Sequence, residues 1–108
     1  MKPAAREQWI LDYLAAREKR VGGFPCSLDV LNADFVDDYA EATGAKLLAV
    51  FVGAHKCPQL GADLSRMAKK GLLERHTTGI QDGLCHMGFP RWVWVYWFPK
   101  KKSSAMMA

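Results

Sequence analysis

RWVWVYWF, residues 91–98, is the segment that most restricts the folds open to this chain. Its β-branched and aromatic residues, with no glycine or proline among them, make the strongest strand signal present. Strand side chains alternate, so Trp92, Trp94, Tyr96 and Phe98 share one face while Arg91, Val93, Val95 and Trp97 share the other. Both faces are sticky, so the strand needs cover on both sides, from the rest of the chain or from a second subunit. It also needs a hydrogen-bonding neighbour. LLERHTT (72–78) reads as its antiparallel partner, joined to it through GIQDGLCHMGFP, whose three glycines and one proline suit a loop.

Upstream of this hairpin the apolar period changes to that of helices. Residues 3 to about 20 place Trp9, Ile10, Tyr13 and Leu14 on one face, with Pro3 in the first turn. Arg17, Lys19 and Arg20 suit the C-terminal end of the dipole, and Gly22-Gly23 stop the helix. FPCSLD (24–29) is a connector with Ser27 as a candidate cap. A second helix is expected from about Leu28 or Asn32 to Thr43, ended by Gly44. Phe35, Val36, Tyr39 and Ala40 form its buried stripe, and Asp34, Asp37, Asp38 and Glu41 its wet one. LLAVFV (47–52) predicts a strand or buried extended segment before Gly53.

HKCP (55–58) then carries a start signal, with Pro58 at a first helical position. Leu60, Leu64, Met67 and Ala68 repeat at helical spacing, while Gln59, Asp63, Arg66, Lys69 and Lys70 occupy the other side. Gly71 closes this third helix, and Leu72-Leu73 begin a strand at once.

Charge follows the same division. Residues 1–20 carry +2, residues 21–54 carry −4, and residues 55–108 carry +6. A basic half joined to an acidic segment suggests a polarised surface able to attract a polyanion on one side, a pattern that solubility alone would also account for. With 108 residues the chain is expected to form one domain over residues 1–98, followed by a basic tail at 99–108, expected to be disordered. No apolar run reaches the length of a membrane span. MKPAAREQW lacks the apolar core of a secretion signal, so a cytoplasmic location is expected. Cys26, Cys57 and Cys85 are odd in number and widely spaced, unlike a disulfide framework.

Helix, helix, short strand, helix, strand, loop, strand is the order of a winged helix-turn-helix domain, and LSRMAKKGLLER (64–75) resembles the step in that superfamily from recognition helix into first wing strand. The likeness covers most of residues 28–98. It departs from the pattern at TGAKLLAVFVGAHK, which puts fourteen residues where the turn between helices two and three is usually short. The resemblance implies an α+β fold with a β-hairpin wing. The implied function is binding of double-stranded DNA by a transcriptional regulator or accessory factor, with the Trp-rich strand available to form a homodimer.

On that reading Gln59 and Arg66 are the residue types that read adenine or guanine edges, and Lys56, Lys69 and Lys70 suit phosphates. Arg75, His76 and Arg91 lie near the hairpin, within reach of backbone or an adjacent minor groove. Asp63 is left either to pair with Arg66 one turn on or to accept a hydrogen bond from cytosine. Lys100, Lys101 and Lys102 add nonspecific attraction. The competing reading is a protein-interaction module, since Trp92, Trp94, Tyr96, Trp97 and Phe98 are residue types enriched at interface hot spots.

Other chemistry finds little support. His55, Cys57, Cys85 and His86 are zinc-ligand types, but an adjacent Cys-His pair far downstream of H-x-C is not a familiar ligand spacing. Cys57 with His55 or His76 lacks any surrounding nucleophile signature. No phosphate-cradling glycine loop, serine elbow or two-histidine helix is present. Neither catalysis nor a cofactor is expected.

Overall fold

A computed structural model describes residues 1–49, 55–79 and 92–99. Among these, the chain builds three helices and two small antiparallel sheets, an α+β arrangement. Helix α1 (Pro3–Arg20) is followed by α2 (Ala33–Thr43), the short strands β1 (Leu48–Ala49) and β2 (His55–Lys56), helix α3 (Pro58–Lys69), and strands β3 (Glu74–Gly79) and β4 (Trp92–Trp97). No described helix is long and apolar enough to cross a membrane.

Each helix buries the stripe that its periodicity predicts. Ile10 and Leu14 from α1, Phe35, Val36, Tyr39 and Ala40 from α2, and Leu60, Leu64 and Met67 from α3 are all buried. Trp9 and Tyr13 are half-buried and bind α1 to α2 through ring contacts: Trp9 stacks on Phe35 at 6.5 Å and meets Tyr39 edge-on at 5.8 Å. All four acids of α2 named above stay exposed.

Of the two starts expected for α2 the later one holds: the helix begins at Ala33, and its cap is Asn32, whose Oδ1 accepts from the Phe35 amide at 3.0 Å. Ser27 has a different role: its carbonyl accepts from Arg17 Nη1. The reason lies one residue on. Leu28 is fully buried, and its backbone exchanges two 2.8 Å hydrogen bonds with Tyr96 as an isolated antiparallel bridge. A residue committed to a sheet edge cannot also open a helix. At Tyr96, β4 is therefore central, with β3 on one edge and Leu28 on the other.

Within the run at 47–52, Leu48–Ala49 form the expected strand, paired antiparallel with His55–Lys56, and both strands are exposed. Residues 50–54 lie outside the described residues, as does Gly53 with them.

The stop at Gly71 is a Schellman motif. Gly71 adopts φ 79°, its amide bonds to the Ala68 carbonyl at 3.1 Å, and the Leu72 amide reaches back to the Met67 carbonyl at 2.9 Å. That reversal turns the chain sharply, puts Leu73 in the core, and starts β3 at Glu74. β3 and β4 pair antiparallel as expected, Glu74 opposite Trp97 through Gly79 opposite Trp92. The connecting loop, Arg91, Cys85, His86 and the 100–108 tail lie outside the described residues.

Candidate nucleic-acid interface

Helix α3 has three environments around its axis, and the basic residues named from sequence do not share one. The core side carries Leu60, Leu64 and Met67. The side facing α1 and Tyr39 of α2 carries Gln59, Asp63, Arg66 and Lys70, bound into a network of hydrogen bonds and ion pairs. The remaining side carries Pro58, Ala62, Ser65 and Lys69, of which all but the half-buried Ser65 are exposed.

Asp63 is the hub of that network, and its side chain is 1% exposed. Arg6 holds it through Nε at 2.8 Å and Nη2 at 3.1 Å. Arg66 Nη2 donates to its Oδ1 at 2.5 Å, and the Tyr39 hydroxyl donates to its Oδ2. Gln59 Nε2 in turn donates to the Tyr39 oxygen at 3.1 Å. Burial alone raises the Asp63 pKa, but the donors from Arg6, Tyr39 and Arg66 together outweigh it and hold the carboxyl below its ordinary value. Burial, reinforced by the Asp63 hydrogen bond, pushes the Tyr39 phenol up to about 12, so it remains a donor at neutral pH.

A second carboxylate completes the network. Glu7 of α1 is buried and accepts from Arg66 Nε at 2.8 Å and from Lys70 Nζ at 3.0 and 3.1 Å. The Arg66 hydrogen bond, assisted by Lys70, holds the Glu7 carboxyl below its ordinary value despite burial. Arg66 thus has one edge of its guanidinium clamped between two acids, with both partners pulling its own pKa upward.

Several sequence-based expectations need correcting. Of the two roles left to Asp63, pairing with Arg66 is observed, whereas a contact to cytosine is excluded because the carboxylate lies inside the protein. Gln59 and Arg66, expected to read base edges, spend donors on Tyr39, Glu7 and Asp63. Lys70 remains half-exposed but neutralises Glu7. Lys69 and Lys56 are exposed and free of any ion pair among the described residues. Arg75 lies on the inner face of the hairpin, its guanidinium 4.2 Å from the Trp94 ring centre and Nη1 3.5 Å from Ser65 Oγ. His76, the next residue along β3, points to the opposite face, near Glu74 at 3.9 Å.

Glu7 and Arg6 were missed as partners of α3. The signal was present: Glu7 sits in register with Ile10 and Leu14, and Asp63 with Leu60 and Met67, on stripes otherwise apolar. A charge on a core stripe requires an opposite charge across the packing surface.

The other face of the hairpin encloses a second hollow, of about 570 Å3, walled by Val95, Trp97 and Phe98, with Pro25 and Glu18 across from them and His76 at its side. Among the described residues, no three His, Cys, Asp or Glu side chains gather where they could hold a metal ion. No protein-family model, curated protein or solved structure matches the chain.

Proposed function

We propose that this chain is a winged helix-turn-helix protein that binds double-stranded DNA without catalysing a reaction, acting as a transcriptional regulator or accessory factor. The β3–β4 hairpin serves as its wing, and the outward stripe of α3 (Pro58, Ala62, Ser65 and Lys69) as its groove-facing surface. The observation that carries this reading is the burial of Asp63. It is the only acid of α3, and it is buried on another side of the helix, so the outward stripe presents Lys69 and no negative charge. Arg75 flanks that stripe from β3, and Lys56 precedes the helix. Small side chains along the stripe let the helix backbone come close to a groove floor, while the cations supply phosphate attraction. The fourteen-residue connection contains the paired strands β1 and β2, and α2 and α3 contribute to one core.

The test follows from the network. Reversing Arg66 or Lys70 would break buried ion pairs and confuse unfolding with lost binding. The doubly reversed variant Lys69→Glu/Arg75→Glu avoids this, and its duplex binding in a gel shift is expected to fall beyond detection with the circular dichroism spectrum unchanged. Wild-type binding should also weaken steeply with salt. A folded double variant that binds duplex as well as wild type would refute the assignment.

One observation favours a second reading, a protein-interaction module. The hollow beneath Val95 and Trp97 is largely apolar-walled and lies on the side of the hairpin away from α3. A partner, or a second copy forming a homodimer, would dock there on the sheet face, because both edges of β4 are occupied at Tyr96. Such binding would respond little to salt, in contrast to duplex binding.

A further inference from the structure

Between α3 and the hairpin lies a hollow of about 310 Å3 whose walls differ sharply in character. One wall is aromatic: Trp92 and Trp94 meet edge to face, ring centres 5.5 Å apart at 87°. Trp92 is 51% exposed, unusual for the largest side chain in proteins. The opposite wall is α3 at Gly61 and Ser65, which present almost no bulk. Among the described residues, Arg75 is the only charged one lining the hollow, and it lies over Trp94, reaches Ser65 and makes no ion pair.

A half-exposed indole, a cation without an ion pair among the described residues and one hydroxyl are complementary to a flat ring joined to an anion. We propose that this hollow takes an unpaired nucleobase, stacked on Trp92, with the adjoining phosphate at Arg75. Its volume is at the small end of the range for small-molecule sites, enough for one nucleotide and not for several. A base within a duplex cannot use it, because paired bases offer only their edges in a groove, whereas stacking on an indole needs the exposed π-face of a base outside the helix. The site therefore selects single-stranded segments or an extruded base. This goes beyond the duplex reading and does not depend on it. Charge complementarity favours a nucleotide over an acidic or apolar peptide, since Arg75 answers phosphate and the indoles answer a ring.

The test uses the intact chain, a fifteen-residue oligothymidylate and a blunt duplex of equal length, with tryptophan fluorescence and anisotropy as readouts. The oligonucleotide is expected to bind and to quench a component of the emission absent from Trp92→Phe. Trp92→Ala should weaken oligonucleotide binding at least about fivefold, and Trp92→Phe, which keeps a ring, should retain most of it. Because the indole is half-exposed, both variants should keep the wild-type circular dichroism spectrum. The proposal is overturned if wild type does not bind the oligonucleotide, if Trp92→Ala binds it unchanged, or if the blunt duplex quenches Trp92 equally. Wild type that binds duplex but not oligothymidylate sinks this site and leaves the duplex reading intact; the reverse result sinks the duplex reading alone.

Discussion

Asp63 shows how one residue can decide what a surface is able to do. A carboxylate inside the protein survives only with donors around it, and here three side chains from three helices supply them. Removing it leaves Arg6 without its acid, takes from Arg66 one of its two, and strips the Tyr39 hydroxyl of its acceptor, so Asp63→Ala should cost about 3–5 kcal/mol. Against a total stability of ~5–15 kcal/mol for a domain, that approaches unfolding, and urea titration would measure it. A loss below about 1 kcal/mol would mean the network is not formed in solution. The same residues set the acid limit of the fold. Asp63 and Glu7 both titrate lower folded than unfolded, so in the acid range the unfolded chain binds more protons and stability rises with pH. Their contribution is complete above the unfolded values near pH ~4 and is lost as pH falls through the folded ones. Melting temperature is therefore expected to hold level above about pH 5 and to drop below about pH 4. Glu7→Gln should melt lower at neutral pH and lose less on acidification. Equal acid sensitivity in that variant would exclude Glu7 as a contributor.

At the scale of elements, α3 was legible in its core stripe and its end, but not in its orientation. Leu60, Leu64, Met67 and Gly71 declare a helix, a buried face and a stop, because each of these depends on spacing and backbone preference alone. The Schellman turn makes a direct prediction. Gly71 has φ 79° and open space where a Cβ would stand, so Gly71→Ala meets no clash and bears only the left-handed backbone penalty. The expected loss is about 1 kcal/mol, read from the denaturant midpoint. No change would indicate that the turn relaxes to another geometry. Orientation is different, because two rows of polar residues both look solvent-facing in a helical repeat. Gln59 turned toward Tyr39 of α2 and Arg66 and Lys70 toward Glu7 of α1, while Ala62, Ser65 and Lys69 turned outward, and only the positions of those partners chose between the two rows. Placing all five polar side chains on one binding face failed for that reason.

For the molecule as a whole, Leu28 ties the connector of the first two helices to the last strand. It is fully buried, sits in the main core, and bridges Tyr96 on the edge that β3 leaves open. Leu28→Ala should cost about 2–5 kcal/mol and loosen the β4 backbone, visible as faster amide exchange at Tyr96. Exchange at Tyr96 unchanged from wild type would show that the bridge does not depend on that side chain. The three helices, the antiparallel hairpin and nearly every core residue of α2 could be named from the chain alone, since hydrophobic period, proline and glycine act over a few neighbours. The partner of Leu28, the partner of Asp63 on α1 and the partner of Glu7 on α3 could not. They join residues that are 68, 57 and 59 positions apart and exist only once the packed core has set the helices side by side.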